Sequence, residues 1–186
     1  MKRILLIALA FLLIVNIAKA QVMTQGEQVI HIGLGLPPTD NGLNVKLPAI
    51  IGIFDYGISD KLGIGYISGG GLISYARFGS DDILGSETKS STLNIMARSA
   101  YHFDFVDITG NKAFDQFDIY AGLALGYQIK TAKITFVGAG TTSANASGFV
   151  GNIFVGAKYS LNDQIALYAE LGAEVAFISG GICIKL

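Results

Sequence analysis

Alternation of apolar and polar residues with a period of two runs through most of the chain, and it constrains the fold more than any other feature. Successive side chains of a β-strand point to opposite faces of the sheet, so this period predicts strands. The stretch LNIMARSAYHF (93–103) also places Arg98 and His102 on one face, which demands a polar environment there. The mostly apolar face of this strand carries Leu93, Ile95, Ala97, Ser99, Tyr101 and Phe103, and the other carries Asn94, Met96, Arg98, Ala100 and His102.

The N-terminus has the three parts of a secretory signal peptide. Lys2 and Arg3 precede an apolar run over 4–17, and alanines follow at positions 18 and 20. A basic start, a short apolar core and a small-x-small site predict cleavage after Ala20. The alternative is an uncleaved anchor helix. The run is shorter than the roughly 20 residues of a transmembrane helix, which disfavours this alternative. We therefore expect a signal peptide over 1–20 and a mature domain over 21–186.

Charge and cysteine content exclude several classes of protein. Three of the 13 basic residues lie in the signal peptide, so ten remain against 14 acidic residues, a net charge of −4. This balance gives no electrostatic basis for binding nucleic acid. Cys183 is the single cysteine, so an intramolecular disulfide is impossible, and no Cys/His cluster has the spacing of a metal site. The mature domain must obtain its stability from its architecture.

The alternating segments number eight, and the connections between them differ in length. Short turns over 59–61 and 161–164 fall on one side of the predicted sheet, and longer polar loops over 37–47, 78–91 and 129–148 fall on the other. The connection over 104–116 is unexpectedly long for the side with short turns. The predicted strands cover 29–36, 49–58, 62–77, 93–103, 117–127, 151–159, 165–172 and 178–186.

These features together predict an all-β fold, an eight-stranded antiparallel up-and-down transmembrane β-barrel. Strands of about 9–11 residues suit a tilted membrane crossing. An even strand number, short periplasmic turns and long extracellular loops are typical of bacterial outer-membrane barrels. The lumen of eight strands is just wide enough for side chains to fill, so the inward charges are expected to form a paired polar network that plugs it. The expected members are Asp55, Arg98, His102, Asp118, Lys158, Glu170 and Lys185.

Outward aromatic residues fit the same orientation. Several of them fall at the periplasmic ends of their strands, where an interfacial aromatic girdle belongs, and Tyr127 is expected near the opposite rim. The predicted girdle consists of Tyr56, Tyr101, Phe103, Phe117 and Tyr159.

Four stretches carry a family resemblance: FDYGISDKLGIGYI (54–67), ARSAYHF (97–103), DIYAGLALGY (118–127) and VGAKYSLNDQIALYAELG (155–172). Through them the chain resembles the small outer-membrane β-barrel proteins of Gram-negative bacteria, the OmpA/OmpX-like class. The resemblance implies insertion by the outer-membrane assembly machinery and residence in outer-membrane lipid.

Residues that could support catalysis do not form a site in the predicted barrel. His102 could pair with Asp118 or Glu170, but the candidate nucleophile Ser99 has the opposite parity and is expected to face lipid. The sequence predicts no enzyme, no metal site and no cofactor site.

Four functions remain open: a structural or surface-interaction barrel with an unknown extracellular ligand, a narrow channel, a membrane-embedded enzyme and a secreted lipocalin-like ligand-binding barrel. We favour the first. Balanced charges on the inward face oppose the lipocalin-like barrel, because that class has an apolar interior. Open aqueous pores belong to larger barrels, which opposes the channel.

Overall fold

Eight antiparallel strands account for nearly all of the regular structure. The computed structural model describes residues 22–38, 43–81, 87–136 and 140–186. The predicted signal peptide and its cleavage site lie outside the described residues and stay predictions. The strands are β1 (Gln28–Leu36), β2 (Asn44–Gly57), β3 (Gly65–Asp81), β4 (Glu87–Phe103), β5 (Phe117–Phe136), β6 (Gly140–Ser160), β7 (Ile165–Gly172) and β8 (Ile178–Lys185).

The strands pair in chain order, and β1 closes the ring by pairing with β8. Every pairing is antiparallel, including the closing one, in which Val29 opposes Lys185 and Leu36 opposes Ile178. The prediction of an eight-stranded up-and-down barrel is therefore confirmed. Among the described residues, no helix is long and apolar enough to cross a membrane.

The strands differ greatly in length, so one side of the barrel is much taller than the other. β3 and β4 have 17 residues each, β5 has 20 and β6 has 21. In contrast, β7 and β8 have eight residues each and β1 has nine. We call the projecting part of β3–β6 the wall, the barrel end that bears it the wall end, and the opposite end the turn end.

The wall corrects the prediction of polar loops over 78–91 and 129–148. β5 continues to Phe136 and β6 begins at Gly140, with unbroken pairing from Phe117↔Tyr159 to Phe136↔Gly140. β3 likewise continues to Asp81, opposite Glu87 of β4. Strand β2 begins at Asn44, inside the loop predicted over 37–47. Threonine and isoleucine favour strands even where glycine and serine suggest a loop, and cross-strand pairing extends the hairpins.

The two faces of the barrel sheet have opposite characters, as the period of two requires. Outward side chains such as Ile73, Ile95 and Leu123 are each more than half exposed. Inward residues fill the lumen. Towards the wall end this filling combines apolar residues with hydrogen-bonded polar ones such as Ser74 and Asn94, and Val175 and Ala176 of the β7–β8 connection fold into it. The apolar lumen residues are Ala49, Ile51, Ile53, Leu72, Ala76, Phe78, Met96, Ala100, Tyr120, Ala124, Phe154, Val175 and Ala176.

The connection over 104–116 is a folded element rather than an extended turn. It contains a short helix, α1 (Phe105–Thr109), and a 3₁₀ helix, Lys112–Gln116. The Asp104 side chain caps α1 by accepting a hydrogen bond from the backbone N–H of Asp107, and Gly110 ends the helix with a left-handed φ of 67°. The strand predicted over 62–77 begins later, at Gly65, so residue 62 lies in the β2–β3 connection.

Candidate functional site in the barrel lumen

Arg98 joins two carboxylates in the middle of the lumen. Its Nη2 lies 2.8 Å from Glu170 Oε1 and its Nε lies 3.2 Å from Asp55 Oδ1. The Tyr120 hydroxyl donates a second hydrogen bond to Glu170 Oε1 at 2.9 Å. The guanidinium also stacks 4.1 Å from the centre of the Phe154 ring. The carboxylates and the aromatic ring compensate for burying the Arg98 charge.

Asp55 continues this network towards β1 and β8. His31 Nε2 lies 3.3 Å from Asp55 Oδ2, and His31 Nδ1 lies 3.3 Å from Cys183 Sγ. The contacts of Asp55 with Arg98 and His31 have ion-pair distances but not the angles of good hydrogen bonds. His31 was not among the residues predicted for the network, because its carboxylate partner Asp55 lies on the neighbouring strand β2.

A second network surrounds His102. Its Nδ1 lies 2.9 Å from Asp118, and its Nε2 lies 2.9 Å from Ser68 Oγ. Lys158 Nζ contacts the same Asp118 carboxylate at 2.7 Å. All four side chains are buried. The register explains the contacts. Strand β5 places Asp118 directly opposite Lys158 of β6. Strand β3 places Ser68 opposite Ala100, which is two residues from His102 on the same face of β4.

Ser68, His102 and Asp118 have the order of a serine–histidine–carboxylate triad, but the arrangement lacks access for a substrate. Ser68 is fully buried. The cavity beside this network is lined by Asp118 and Lys158 rather than by Ser68, so it meets the carboxylate end of the triad. Ser99, the nucleophile considered from the sequence, is half-buried, and its hydroxyl donates to the Ser68 carbonyl oxygen at 2.8 Å. The geometry supports hydrogen-bond satisfaction rather than nucleophilic attack.

The turn end of the lumen opens into a cavity of about 410 Å³. Lys185, the remaining member of the predicted network, lies at this mouth, half-buried and paired with Glu27. Met23, which the sequence had not singled out, is buried with Val29 and Cys183. In the part of the chain that the structure describes, no group of three His, Cys, Asp or Glu side chains could hold a metal ion.

The aromatic residues predicted as a girdle lie at the turn end on the outer surface. Phe117 and Tyr159 are directly opposite, with ring centres 5.1 Å apart. Tyr101 and Phe103 have the same separation. Tyr56 is 42% exposed. Tyr127 does not lie at a strand end but within β5, where it packs edge-on against Phe149.

Basic side chains lie together on the outer face of the wall. Lys89 of β4 is directly opposite Lys133 of β5, and Arg77 is diagonal to Lys89 because Gly79 is the β3 partner of Lys89. All three cations are exposed. Directly opposed like charges destabilise a sheet, and the acidic neighbour Glu87, 2.7 Å from Lys89, balances only part of this charge. We call Arg77, Lys89 and Lys133 the wall cations.

A closed eight-stranded barrel with an apolar outer face and a charged lumen defines the architecture of small outer-membrane barrels. The chain is similar to two crystal structures of Ail, the attachment invasion locus protein of Yersinia pestis. The structure in complex with the heparin analogue sucrose octasulfate has a TM-score of 0.52. The other has a TM-score of 0.50. Each is 14% identical and covers 87% of this chain and 96% of Ail, a similarity that shows the fold. No family model and no curated protein matches the chain.

Proposed function

We propose that this protein is a surface-interaction barrel of a bacterial outer membrane, with the wall outside the cell and the turn end in the periplasm. The apolar outer face fits lipid, and the aromatic residues at the turn end fit the periplasmic interface. Side chains fill the lumen above the turn-end cavity, so the proposed role lies in the wall rather than in transport. Outer-membrane lipid and the assembly machinery are the partners that this location requires.

The wall cations are the observation that carries the proposed ligand class. Three exposed cations on adjacent strands form a site for a polyanion, because an anion would relieve the opposition of Lys89 and Lys133. The Ail structure with a sulfated heparin analogue supports the same class. We infer that the extracellular ligand is a polyanion, with sulfate or phosphate groups spaced to meet neighbouring strands.

Calorimetric titration of the detergent-folded protein with sucrose octasulfate tests this proposal. The native chain is expected to bind, with an affinity that falls as salt screens the exposed charges. The double variant Lys89→Gln/Lys133→Gln is expected to lose binding, whereas the matched control Lys112→Gln at the turn end keeps it. Equal binding by the double variant and the native chain would remove the wall cations from the proposal.

A further inference from the structure

The connection between β4 and β5 presents an apolar surface that a simple turn does not need. Tyr101, Phe103, Phe105 and Phe114 form a continuous row, with successive ring centres 5.1, 6.2 and 5.8 Å apart. These distances lie within the range of favourable aromatic pairs. The row begins on the outward face of β4 and ends in the 3₁₀ helix. It therefore extends the lipid-facing aromatic surface beyond the end of the strands.

Helix α1 carries apolar residues next to a charged N-terminal end. Phe105 and Ile108 are three positions apart, so they share one side of the helix, and Ile108 is 46% exposed. Asp107 is two positions from Phe105 and so does not face it, and Asp104 caps the helix from outside its N-terminal end. A short amphipathic element beside a lipid-facing surface fits the membrane–water interface.

The β2–β3 connection lies against this element and adds to its apolar surface. The backbone N–H of Asp104 donates to the carbonyl oxygen of Ile64 at 2.9 Å. Lys61 Nζ lies 3.0 Å from Asp104 Oδ2 and 2.9 Å from Asp107 Oδ2. The exposed apolar residues that this connection contributes are Ile58, Leu62 and Ile64, each at least half exposed.

Lys61 partly neutralises the two carboxylates that it contacts in this pair of connections. Burial raises the pKa of Asp104, but hydrogen bonds from the Asp107 backbone and from Lys61 outweigh it and hold that pKa below its usual range. Hydrogen bonds to Asp107 and Asp104 raise the pKa of Lys61. The one cation is thus shared by two carboxylates, which both lie at the N-terminal end of α1.

We propose that residues 58–64 and 104–116 form an interfacial anchor that binds the phospholipid surface of the periplasmic leaflet. Phe105, Ile108 and Phe114 insert at the boundary of headgroups and acyl chains, and the Lys61–Asp104–Asp107 cluster faces water. Continuity with Tyr101 and Phe103 identifies lipid as the occupant of this surface. The proposal rests on the outer-membrane location proposed above.

The chain contains no tryptophan, so a single introduced tryptophan reports its own surroundings. The test places Phe114→Trp protein in vesicles of ordinary or brominated phosphatidylcholine, with bromine near the headgroup end or near the chain terminus. Leu123→Trp on the outer face is the control for the acyl-chain region, and Thr142→Trp on the wall is the control for water. Ile108→Trp is an independent second reporter, should Phe114→Trp fold poorly.

Phe114→Trp is expected to emit at shorter wavelength than Thr142→Trp and to lose emission most with bromine near the headgroups. Quenching of Leu123→Trp without quenching of Phe114→Trp or Ile108→Trp would overturn the anchor and leave the barrel in the membrane. This pattern of quenching is expected if the connection contacts a periplasmic protein or water instead of lipid. Absence of quenching in Leu123→Trp would overturn the membrane location itself.

Discussion

Arg98 is the residue whose loss should affect the lumen most. It is buried between Glu170 and Asp55, so Arg98→Ala leaves two carboxylates without their shared cation. Breaking a buried ion pair costs about 3–5 kcal/mol, and we expect a loss of this size in the free energy of unfolding. Urea unfolding in vesicles, followed by gel mobility, measures it. The matched control Lys133→Ala removes an exposed charge and should change stability little. Equal effects of both substitutions would contradict the assigned lumen network.

Gly156 tests the packing of the same region. A Cβ atom there would lie 2.5 Å from Cζ of the Tyr120 ring, whose hydroxyl donates to Glu170. Gly156→Val must therefore displace Tyr120, and overpacking of this kind costs about 1–3 kcal/mol. Gly148→Val is the matched control, because nothing lies within 4 Å of its added Cβ. Unfolding of both variants by urea compares them, and equal stability would show that Tyr120 is not fixed over Gly156.

Parity along single strands allowed the inward residues to be predicted, but their partners required the register. The side chain of Asp55 was expected inward, and it is buried with Ile51 and Ile53 of the same parity. The sequence offered Asp118 or Glu170 to His102, and the structure pairs His102 with Asp118 and Arg98 with Glu170. Ser68 was missed because its role depends on a neighbouring strand. Its inward parity on β3 is the signal that could have identified it.

At the scale of elements, the outward face of β5 gives a direct test of which face of the barrel contacts lipid. Leu123 is 54% exposed on the outer face, and the next residue, Ala124, is fully buried in the lumen. If the outer face meets lipid, Leu123→Arg should destabilise the barrel by about 2–4 kcal/mol near the membrane midplane. Lys or Arg at the exposed wall position 142 is the control and should cost little. Urea unfolding in vesicles measures both, and a silent Leu123→Arg would contradict a lipid-facing outer surface.

The two connections at the turn end predict a specific pH response. The pKa of Asp104 is lower in the folded protein than in the unfolded chain, so its ionised form stabilises the connection above about pH 3.9. This contribution is lost as pH falls through the pKa of the folded protein. The pKa of Lys61 is higher in the folded protein than in the unfolded chain, so its charged form stabilises the connection below about pH 10.4. This contribution is lost as pH rises through the pKa of the folded protein. NMR titration of the Asp104 carboxyl should show its pKa rising in Lys61→Met. An unchanged pKa would exclude the Lys61 contact.

Local sequence signals were weakest where the connections and the wall form. FVDIT is too short for helical periodicity, although Asp104 and Gly110 at its two ends are the usual capping residues. The wall portion of β6 is rich in Thr, Ser, Ala and Gly, a composition that also describes a loop. Pairing with a neighbouring strand, which no single segment reveals, makes these residues extended.

At the scale of the whole molecule, a closed barrel separates an apolar exterior from a filled interior. Apolar residues, hydrogen-bonded polar residues and ion pairs together occupy the lumen. This filling favours surface interaction over conduction as the role of the barrel. We expect no ion conductance in planar bilayers from the native chain, and a steady open conductance would favour the narrow channel instead.

Gel mobility of the protein from outer-membrane fractions, with and without boiling, tests the central claim most directly. Closed strand pairing and an apolar exterior predict that the unboiled protein stays folded in detergent and migrates as a compact band in these fractions. Boiling should shift this band to the mobility of the unfolded chain. A protein found in the soluble periplasmic fraction, with the same mobility before and after boiling, would contradict the outer-membrane barrel.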